Sequence, residues 1–285
     1  MGHMSEAAAD WLLSGRDLPW PVTVPFRMRP NLRRLGDETL LLADARRDAY
    51  RRERMTALAD RPAVGVAHAG VLAAIAALQA GLSPVDAAAR ALIVQPPASD
   101  AVALGMQEDF VILRRDDDAF RSEYLSVAFP SRWDPATKLE QDFATIHAPV
   151  ADGGALVAAA PAFMPLAFAR EAMLRYVWLV VPSPALDQHP SRNQVDWQRV
   201  LADPEPLLPR LFFRVERQTT WPLVALDRAV FFIRLLMAPL AEVVDAAPGR
   251  RRVLADAVRS MSPAVVAYRG MAEAAPRLVA ELEAD

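Results

Sequence analysis

The sequence contains no cysteine. Without thiols the chain cannot form disulfides, a cysteine-ligated zinc or iron–sulfur centre, a thiolate nucleophile or a thiolate-ligated haem. Any iron would have to be held by histidine, carboxylate, methionine or tyrosine. Of the four histidines, His3 lies in Met-Gly-His-Met, residues 1–4, which is typical of an expression-vector remnant. The remaining candidates for a metal-ligating imidazole are His68, His147 and His189.

Strong charge is also missing, since the net charge is −3 and the isoelectric point is near 5.9. A nucleic-acid-binding protein normally carries a basic excess, so we predict no nucleic-acid partner. Residues 62–85 are free of formal charge, but their apolar content is mostly alanine and glycine. A membrane span needs about 20 strongly apolar residues. We therefore predict a buried helix, no membrane partner and, because no secretory signal is visible, a cytoplasmic protein.

The first third of the chain is predicted to be mainly helical. Residues 5–36 are rich in proline and are expected to form an extended arm that packs aromatic side chains on the body. A helix is expected to begin at Asp37, because apolar positions recur at helical spacing from Leu41 onward. A second helix is predicted over residues 63–81, and cap signals predict a third from Ser83.

Alternating polar and apolar residues between positions 101 and 131 predict a β-hairpin. Its first strand is expected over residues 109–114, and its return strand over residues 124–129. The three aspartates at residues 116–118 lack the alternating spacing and the glycine of a calcium loop, so we predict a solvated turn.

The two downstream histidines differ in their sequence context. Asp134 is a good N-cap for a short helix, and His147 is predicted to lie past that helix, in the extended conformation that Pro149 promotes. A longer helix is predicted over residues 164–176. His189 follows in a loop rich in turn formers, with no evident partner. From the residues alone, a structural role next to a tight bend is favoured for His147 over a ligand role.

Two further strands are predicted over residues 211–219 and 229–236. In the first of them, Arg214, Glu216 and Gln218 share one face. Such a polar row is either a solvated face or the wall of a cavity, and the pattern alone favours solvent. The last 45 or so residues are predicted to form helices that are interrupted by prolines.

No glycine-rich dinucleotide fingerprint, phosphate-binding loop or nucleophile elbow is present in the sequence. The order of helices, antiparallel strands and helices predicts an α+β fold. We expect one compact unit, and the predicted parts are the remnant at 1–4, an arm and helices at 5–100, a sheet core at 101–240, and C-terminal helices at 241–285.

The sequence contains six short motifs: Gln107-Glu-Asp109, Phe129-Pro-Ser-Arg-Trp133, Lys138-Leu139, Ile146-His-Ala-Pro-Val150, Arg214-Val-Glu-Arg-Gln-Thr219 and Phe232-Ile-Arg234. In their order and spacing they resemble the α subunit of haem-dependent oxidative N-demethylase. The likeness covers roughly residues 20–245. It implies a PAS-like fold that binds haem b. It also implies an enzyme that oxidises an amine with dioxygen and receives electrons from NADPH through a separate flavin and iron–sulfur reductase.

The resemblance also implies roles for individual residues. His147 becomes the candidate axial ligand of the haem iron, and Glu216 the distal carboxylate that holds a secondary ammonium and accepts its proton. Strand alternation puts Arg217 on the other face, as a structural residue or a partner of a haem propionate. The further propionate candidates are Arg132, Lys138 and Arg234.

Two departures from the family pattern leave the substrate open. Val177 stands where an asparagine is usual, and residues 29–34 replace a glycine-containing turn. Dimethylamine and a larger amine therefore both stay possible. Two other functions are compatible with the sequence: a haem-binding PAS-like sensor without turnover, and a structural relative that binds no haem.

Overall fold

The computed structural model describes residues 9–81, 105–117, 119–192 and 195–284, which form an α+β structure as predicted. The strands are β1 (Arg33–Arg34), β2 (Val64–Gly65), β3 (Asp109–Asp116), β4 (Ala119–Ser126), β5 (Met173–Val181), β6 (Phe212–Leu223) and β7 (Arg228–Pro239). They form one antiparallel sheet in the order β1-β5-β6-β7-β3-β4-β2. The helices are α1 (Arg47–Asp60), α2 (Ala69–Gly81), α3 (Phe143–His147), α4 (Gly154–Ala169), α5 (Trp197–Leu201), α6 (Leu240–Asp245), α7 (Arg250–Arg259), α8 (Pro263–Tyr268) and α9 (Ala274–Glu283).

Strand β6 lies inside the sheet and defines its two faces. Val177 of β5 and Leu235 of β7 are the register partners of Glu216. Because side chains alternate along a strand, Glu216 and Arg217 point to opposite faces. We call these the Glu216 face and the Arg217 face.

Each face of the sheet carries a layer of its own. Trp20 of the N-terminal arm stacks on Phe213 of the Arg217 face, with ring centroids 5.4 Å apart. The C-terminal helices pack into the same core. On the Glu216 face, helix α4 places Phe168 against Phe231 at 6.5 Å. The sheet is therefore an internal layer, and polar residues on either face can be buried.

Several sequence predictions are confirmed in the described residues. The N-terminal arm contains no helix from residue 9 to residue 36, and the hairpin forms from β3 and β4, but its return strand spans Ala119–Ser126 and not residues 124–129. Strand β6 begins at Phe212 and continues beyond its predicted C-terminal limit, and β7 extends beyond both of its predicted limits. Four helices follow residue 239, with breaks at Gly249 and Pro263. Within the described ranges, no helix is long and apolar enough to cross a membrane.

The helix predicted to begin at Asp37 starts ten residues later, so that prediction is wrong at its N-terminal end. Helix α1 begins at Arg47, and residues 39–44 have no helical structure. Arg217 donates to the carbonyls of Thr39 and Leu40 instead, which holds this segment against the sheet. Tertiary hydrogen bonds thus override the helical periodicity of the sequence.

The helix predicted over residues 164–176 is also wrong, because α4 spans Gly154–Ala169 and the following residues form β5. Strand β5 pairs with β6 along its whole length, and this pairing satisfies the backbone groups that the predicted helix would have used. In the N-terminal third, the helix predicted over 63–81 is confirmed from Ala69, whereas Val64–Gly65 pairs with β4. The helix predicted from Ser83 lies outside the described residues.

Candidate functional site

The polar row on β6 is buried, which corrects the expectation that it faces solvent. Arg214 is fully buried, and the exposed fractions of Glu216 and Gln218 are 9% and 7%. Helix α4 and the loop after β4 cover this face of the sheet. The pattern of polar and apolar residues along one strand does not show what packs on that strand, so the sequence did not reveal this cover. Buried polar side chains need hydrogen-bond partners, and the partners of these three identify the site.

Ser131 connects Glu216 to Arg214. The Ser131 hydroxyl donates to Glu216 Oε1 at 2.5 Å, and Arg214 Nε donates to the same hydroxyl oxygen at 3.0 Å. The other donors of Arg214 are directed at the backbone carbonyls of Phe129, Ala185 and Leu186. Burial lowers the pKa of Arg214 to about 10, an effect that the charge of Glu216 opposes.

Gln218 connects the other oxygen of Glu216 to Arg175. Gln218 Nε2 donates to Glu216 Oε2 at 2.7 Å, and Arg175 Nε donates to Gln218 Oε1 at 2.6 Å. Burial lowers the pKa of Arg175, and the charge of Glu216 partly opposes that shift. Both oxygens of the carboxylate thus accept a bond from a neutral donor, and each neutral donor accepts a bond from an arginine.

His147 is the last residue of helix α3, so its predicted extended conformation is wrong. The Asp142 side chain caps this helix by accepting from Thr145 N at 2.8 Å, which adds a helical turn before Pro149. The short helix predicted after Asp134 is confirmed as a 3-10 turn, Pro135–Lys138, capped by the aspartate.

The geometry around His147 leaves one ring nitrogen available. Nδ1 lies 2.9 Å from the Phe143 carbonyl oxygen, and the two rings stack with centroids 3.9 Å apart. A carbonyl can only accept, so Nδ1 carries the proton and Nε2 carries the lone pair. Burial is the main cause that lowers the pKa of His147 to about 4, and the charges of Arg175 and Lys138 contribute to the same shift. A neutral imidazole with a fixed tautomer is the form that binds a metal ion.

Arg175 links the two halves of the site, because it influences both His147 and Glu216 electrostatically. Helix α3 reaches the same region by packing on α4, where Phe143 contacts Phe163 edge-on at 5.1 Å. Arg175, on the Glu216 face, therefore has an electrostatic influence on both principal residues predicted from the sequence.

Arg217 and Arg234 occupy the Arg217 face and hold the segment at 39–44. Arg217 bonds the Leu40 carbonyl at 3.2 Å, as well as that of Thr39. Arg234 is fully buried and donates to Asp44 Oδ2 at 2.9 Å. Their guanidinium groups are committed to this segment, on the side of the sheet away from Glu216.

The other two predicted cations lie in different surroundings. Lys138 is half-buried and close enough to His147 to lower its pKa. Arg132 is exposed, has a φ of 66° and lines a groove with Ser183 and His189. Of these two, only Lys138 has a described electrostatic link to His147.

Sequence reasoning missed Ser131, Arg175 and Gln218 as members of the site. Ser131 and Gln218 lie inside motifs of the resemblance, which could have marked both. Gln218 also shares the face of Glu216 on β6, whereas Ser131 reaches Glu216 from the loop after β4. Arg175 lies in the segment that was predicted to be a helix, so its face could not be assigned.

His189 also differs from its prediction, because it has two partners. It is 8% exposed, its Nδ1 lies 2.7 Å from Ser191 Oγ, and its Nε2 lies 3.4 Å from Asp134 Oδ1. Across the described ranges, no cluster of three or more His, Cys, Asp or Glu side chains could hold a metal ion. In the described part of the chain, Nε2 of His147 has no hydrogen-bond partner, and one such imidazole nitrogen fits an iron whose equatorial ligands come from a porphyrin.

Comparison with known proteins assigns the chain to a family. No curated protein matches the chain. The sequence model of one family, described as haem-dependent oxidative N-demethylase, alpha subunit-like, matches residues 92–279, about two thirds of the chain. The match includes β3 to β7 and every residue of the site described above. The chain belongs to the haem-dependent oxidative N-demethylase α-subunit-like family.

Proposed function

We propose that this protein is a haem-dependent oxygenase that removes a methyl group from a secondary amine. The observation that carries the proposal is the state of Glu216: a carboxylate that is 9% exposed and accepts bonds only from neutral side chains. Among the residues that the structure describes, no cation contacts it directly. A buried carboxylate without a cationic partner is a binding site for an ammonium group.

In this proposal, Glu216 holds the substrate ammonium and accepts its proton, which gives the neutral amine that can be oxidised. Ser131 and Gln218 keep the carboxylate oriented while it does so. The covering layer of α4 excludes water from this face of the sheet. Each residue acts on the proton or on the position of the amine, and none of them is a redox group.

His147 Nε2 is proposed to hold the iron of haem b, in a PAS-like fold. The hydrogen bond from Nδ1 to Phe143 fixes the ring and strengthens the free nitrogen as a ligand. Lys138 and Arg175 are proposed to hold the propionates, since both cations lie near His147. Arg217 and Arg234 are given a structural role, because their donors are already used. Bound haem supplies the binding and reduction of dioxygen.

The overall reaction defines what else is needed. A secondary methylamine, dioxygen, two electrons and two protons yield the demethylated amine, formaldehyde and water. The chain has no cysteine for an iron–sulfur cluster, and we propose that a separate flavin and iron–sulfur reductase supplies the electrons.

Haem titration followed by visible absorption tests the iron site. The wild-type protein should bind one haem per chain with a Soret band typical of histidine ligation, and His147→Ala should lose this binding. His68→Ala is the matched control, because His68 is 45% exposed and pairs with Glu123. Saturable binding that is equal in His147→Ala and the wild type would exclude His147 as the ligand.

Amine addition then tests the substrate site. Dimethylammonium chloride should shift the Soret band of the wild type, and Glu216→Gln should weaken the amine affinity by roughly 10- to 100-fold, since bonds to charged groups contribute about 1.5–3 kcal/mol. Formaldehyde should form when an artificial reductant and oxygen are added. A spectral shift without formaldehyde would favour the sensor, and a protein that binds no haem would favour the structural relative.

A further inference from the structure

We infer that Ser131 and Gln218 are positioning residues that present both oxygens of Glu216 to a cationic ligand, and that Arg214 and Arg175 act through them. This inference rests on the proposed function, since it concerns the same carboxylate. We call the chain of contacts Arg214–Ser131–Glu216–Gln218–Arg175 the relay. The relay explains how Ser131 and Gln218 orient the carboxylate. It also gives Arg214 and Arg175 a role in holding those two side chains, in addition to the propionate binding proposed for Arg175.

The direction of the Ser131 hydroxyl is fixed by proton counting. A serine hydroxyl has one proton to donate, and its oxygen can accept two bonds. Arg214 Nε is always a donor, so the bond at 3.0 Å uses a lone pair of Ser131 Oγ. Glu216 Oε1, at 2.5 Å, must then receive the only proton. Arg214 thereby prevents the hydroxyl from turning around and makes it a better donor to the carboxylate.

The orientation of the Gln218 amide is fixed in the same way. The arginine can only donate, so the atom 2.6 Å from Arg175 Nε must be the amide oxygen. The amide nitrogen therefore faces Glu216 Oε2 at 2.7 Å and donates to it. A flipped amide would place two acceptors in contact on one side and two donors on the other.

The relay differs in its effect from a direct ion pair. An arginine that bound Glu216 in a bidentate manner would neutralise the carboxylate and occupy both of its oxygens. Here the donors of Arg214 are spent on Ser131 and on three backbone carbonyls. Two positive charges thus stabilise the anion from one side chain away. Each carboxylate oxygen keeps a lone pair for the ligand.

Ser131 owes its position to a second buried contact. Asp109 accepts from Ala128 N at 2.9 Å and from Phe129 N at 3.0 Å, and it pairs with the buried Arg54. These bonds hold the chain just before Pro130 and Ser131. The serine therefore approaches Glu216 from a rigid backbone and not from a free loop.

Infrared spectroscopy of the purified protein tests the relay without any turnover. The difference between the wild type and Glu216→Gln identifies the carboxylate band of Glu216. Ser131→Ala and Gln218→Met should each shift this band, and Ser131→Thr, which keeps a hydroxyl, should leave it in place. A band that stays unmoved in both Ser131→Ala and Gln218→Met would overturn the relay.

Ligand binding to the haem-loaded protein separates positioning from general damage. Ser131→Ala and Gln218→Met should each weaken dimethylammonium binding by about tenfold, and Ser131→Thr should restore most of it. Carbon monoxide, a neutral ligand of reduced haem, should bind all three variants within twofold of the wild type. Equal weakening of both ligands would show a merely structural role and overturn the inference, as would unchanged amine affinity.

The proposed function and the relay can fail separately. If the wild-type protein binds no dimethylammonium, the proposed function is wrong. The infrared bands of Glu216 still decide in that case whether the relay exists. A wild-type protein that binds it, with variants that bind it equally well, defeats the relay and leaves the proposed function standing.

Discussion

The two faces of strand β6 both carry buried arginines, but they use them differently. On the Arg217 face, Arg217 and Arg234 donate directly to residues 39–44, and Asp44 gives Arg234 a carboxylate partner. On the Glu216 face, Arg214 reaches Glu216 through Ser131. The first arrangement attaches a segment of chain to the sheet. The second leaves a buried carboxylate that, among the described residues, accepts bonds from neutral side chains and contacts no cation directly.

This difference shows that buried arginines three positions apart on one strand, Arg214 and Arg217, can have different roles. When a buried cation contacts an anion directly, each charge has a partner, and removing either residue destabilises the fold. When the cation acts through a neutral side chain, as Arg214 acts on Glu216 through Ser131, the carboxylate is stabilised and remains available to a ligand. Substitutions on the Arg217 face should therefore change stability, and substitutions around Glu216 should change binding.

The largest expected effect is on the Arg217 face. Arg234→Met should lower the free energy of unfolding by about 3–5 kcal/mol, because it leaves Asp44 without its buried partner. It also removes the guanidinium that lies 3.9 Å above the Tyr50 ring. Chemical denaturation monitored by tryptophan fluorescence measures the loss.

A matched control is Arg251→Met, which removes an exposed ion pair to Asp245 and should cost less than about 1 kcal/mol. Dimethylammonium affinity per folded molecule should be unchanged in Arg234→Met. If Arg234→Met were as stable as the control, the division between the two faces would be wrong.

A smaller effect is expected from pH, through His147 on the other side of the sheet. Burial lowers its pKa to about 4, below the ordinary value of 6.5. As pH falls below 6.5, the unfolded chain binds a proton before the folded protein does, so stability is lost between pH 6.5 and 4. The loss is at most about 3 kcal/mol.

His147→Gln should remove this part of the pH dependence, because glutamine does not titrate. Denaturation curves of the haem-free wild type and the variant should coincide in slope above pH 7 and diverge toward pH 4. Parallel pH profiles would show that His147 is solvated in the folded protein, and its role as a preorganised ligand would then lose support.

The smallest effect separates the two remaining cations. Lys138→Met should weaken haem binding two- to fivefold, or about 0.5–1 kcal/mol, as expected for a partly exposed charge pair. Arg132→Met should leave haem affinity unchanged, since this exposed side chain lines a different groove. Haem titration measures both. If Arg132→Met weakened haem binding more than Lys138→Met, we would infer that the haem propionates lie near that groove.

Strand alternation predicted more of the structure than any other signal. It identified the hairpin, the two long strands and the opposite directions of Glu216 and Arg217. Proline and capping signals gave the turn at Asp134 and the break at Pro263. These features are local, because neighbouring residues alone determine which face or turn a side chain occupies.

The parts that were missed depend on contacts distant in sequence. The burial of Glu216 requires α4 and Ser131 to cover the sheet, and Arg175 became visible only when its segment paired with β6. Residues 39–44 have a helical pattern but are held by arginines nearly 200 positions away. The roles of His147 and Glu216 came from the resemblance, and their role in haem and amine binding stays a proposal.

The buried contact between Arg54 and Asp109 has a consequence for cutting the molecule into pieces. A fragment that began at residue 101 would keep the strands, but Asp109 would lose Arg54 and Arg234 would lose Asp44. Glu108 would also lose its bond from Leu42 N. Three ionisable side chains, those of Asp109, Arg234 and Glu108, would then lack these partners in a low-dielectric interior. We therefore expect the excised core to be insoluble or unfolded.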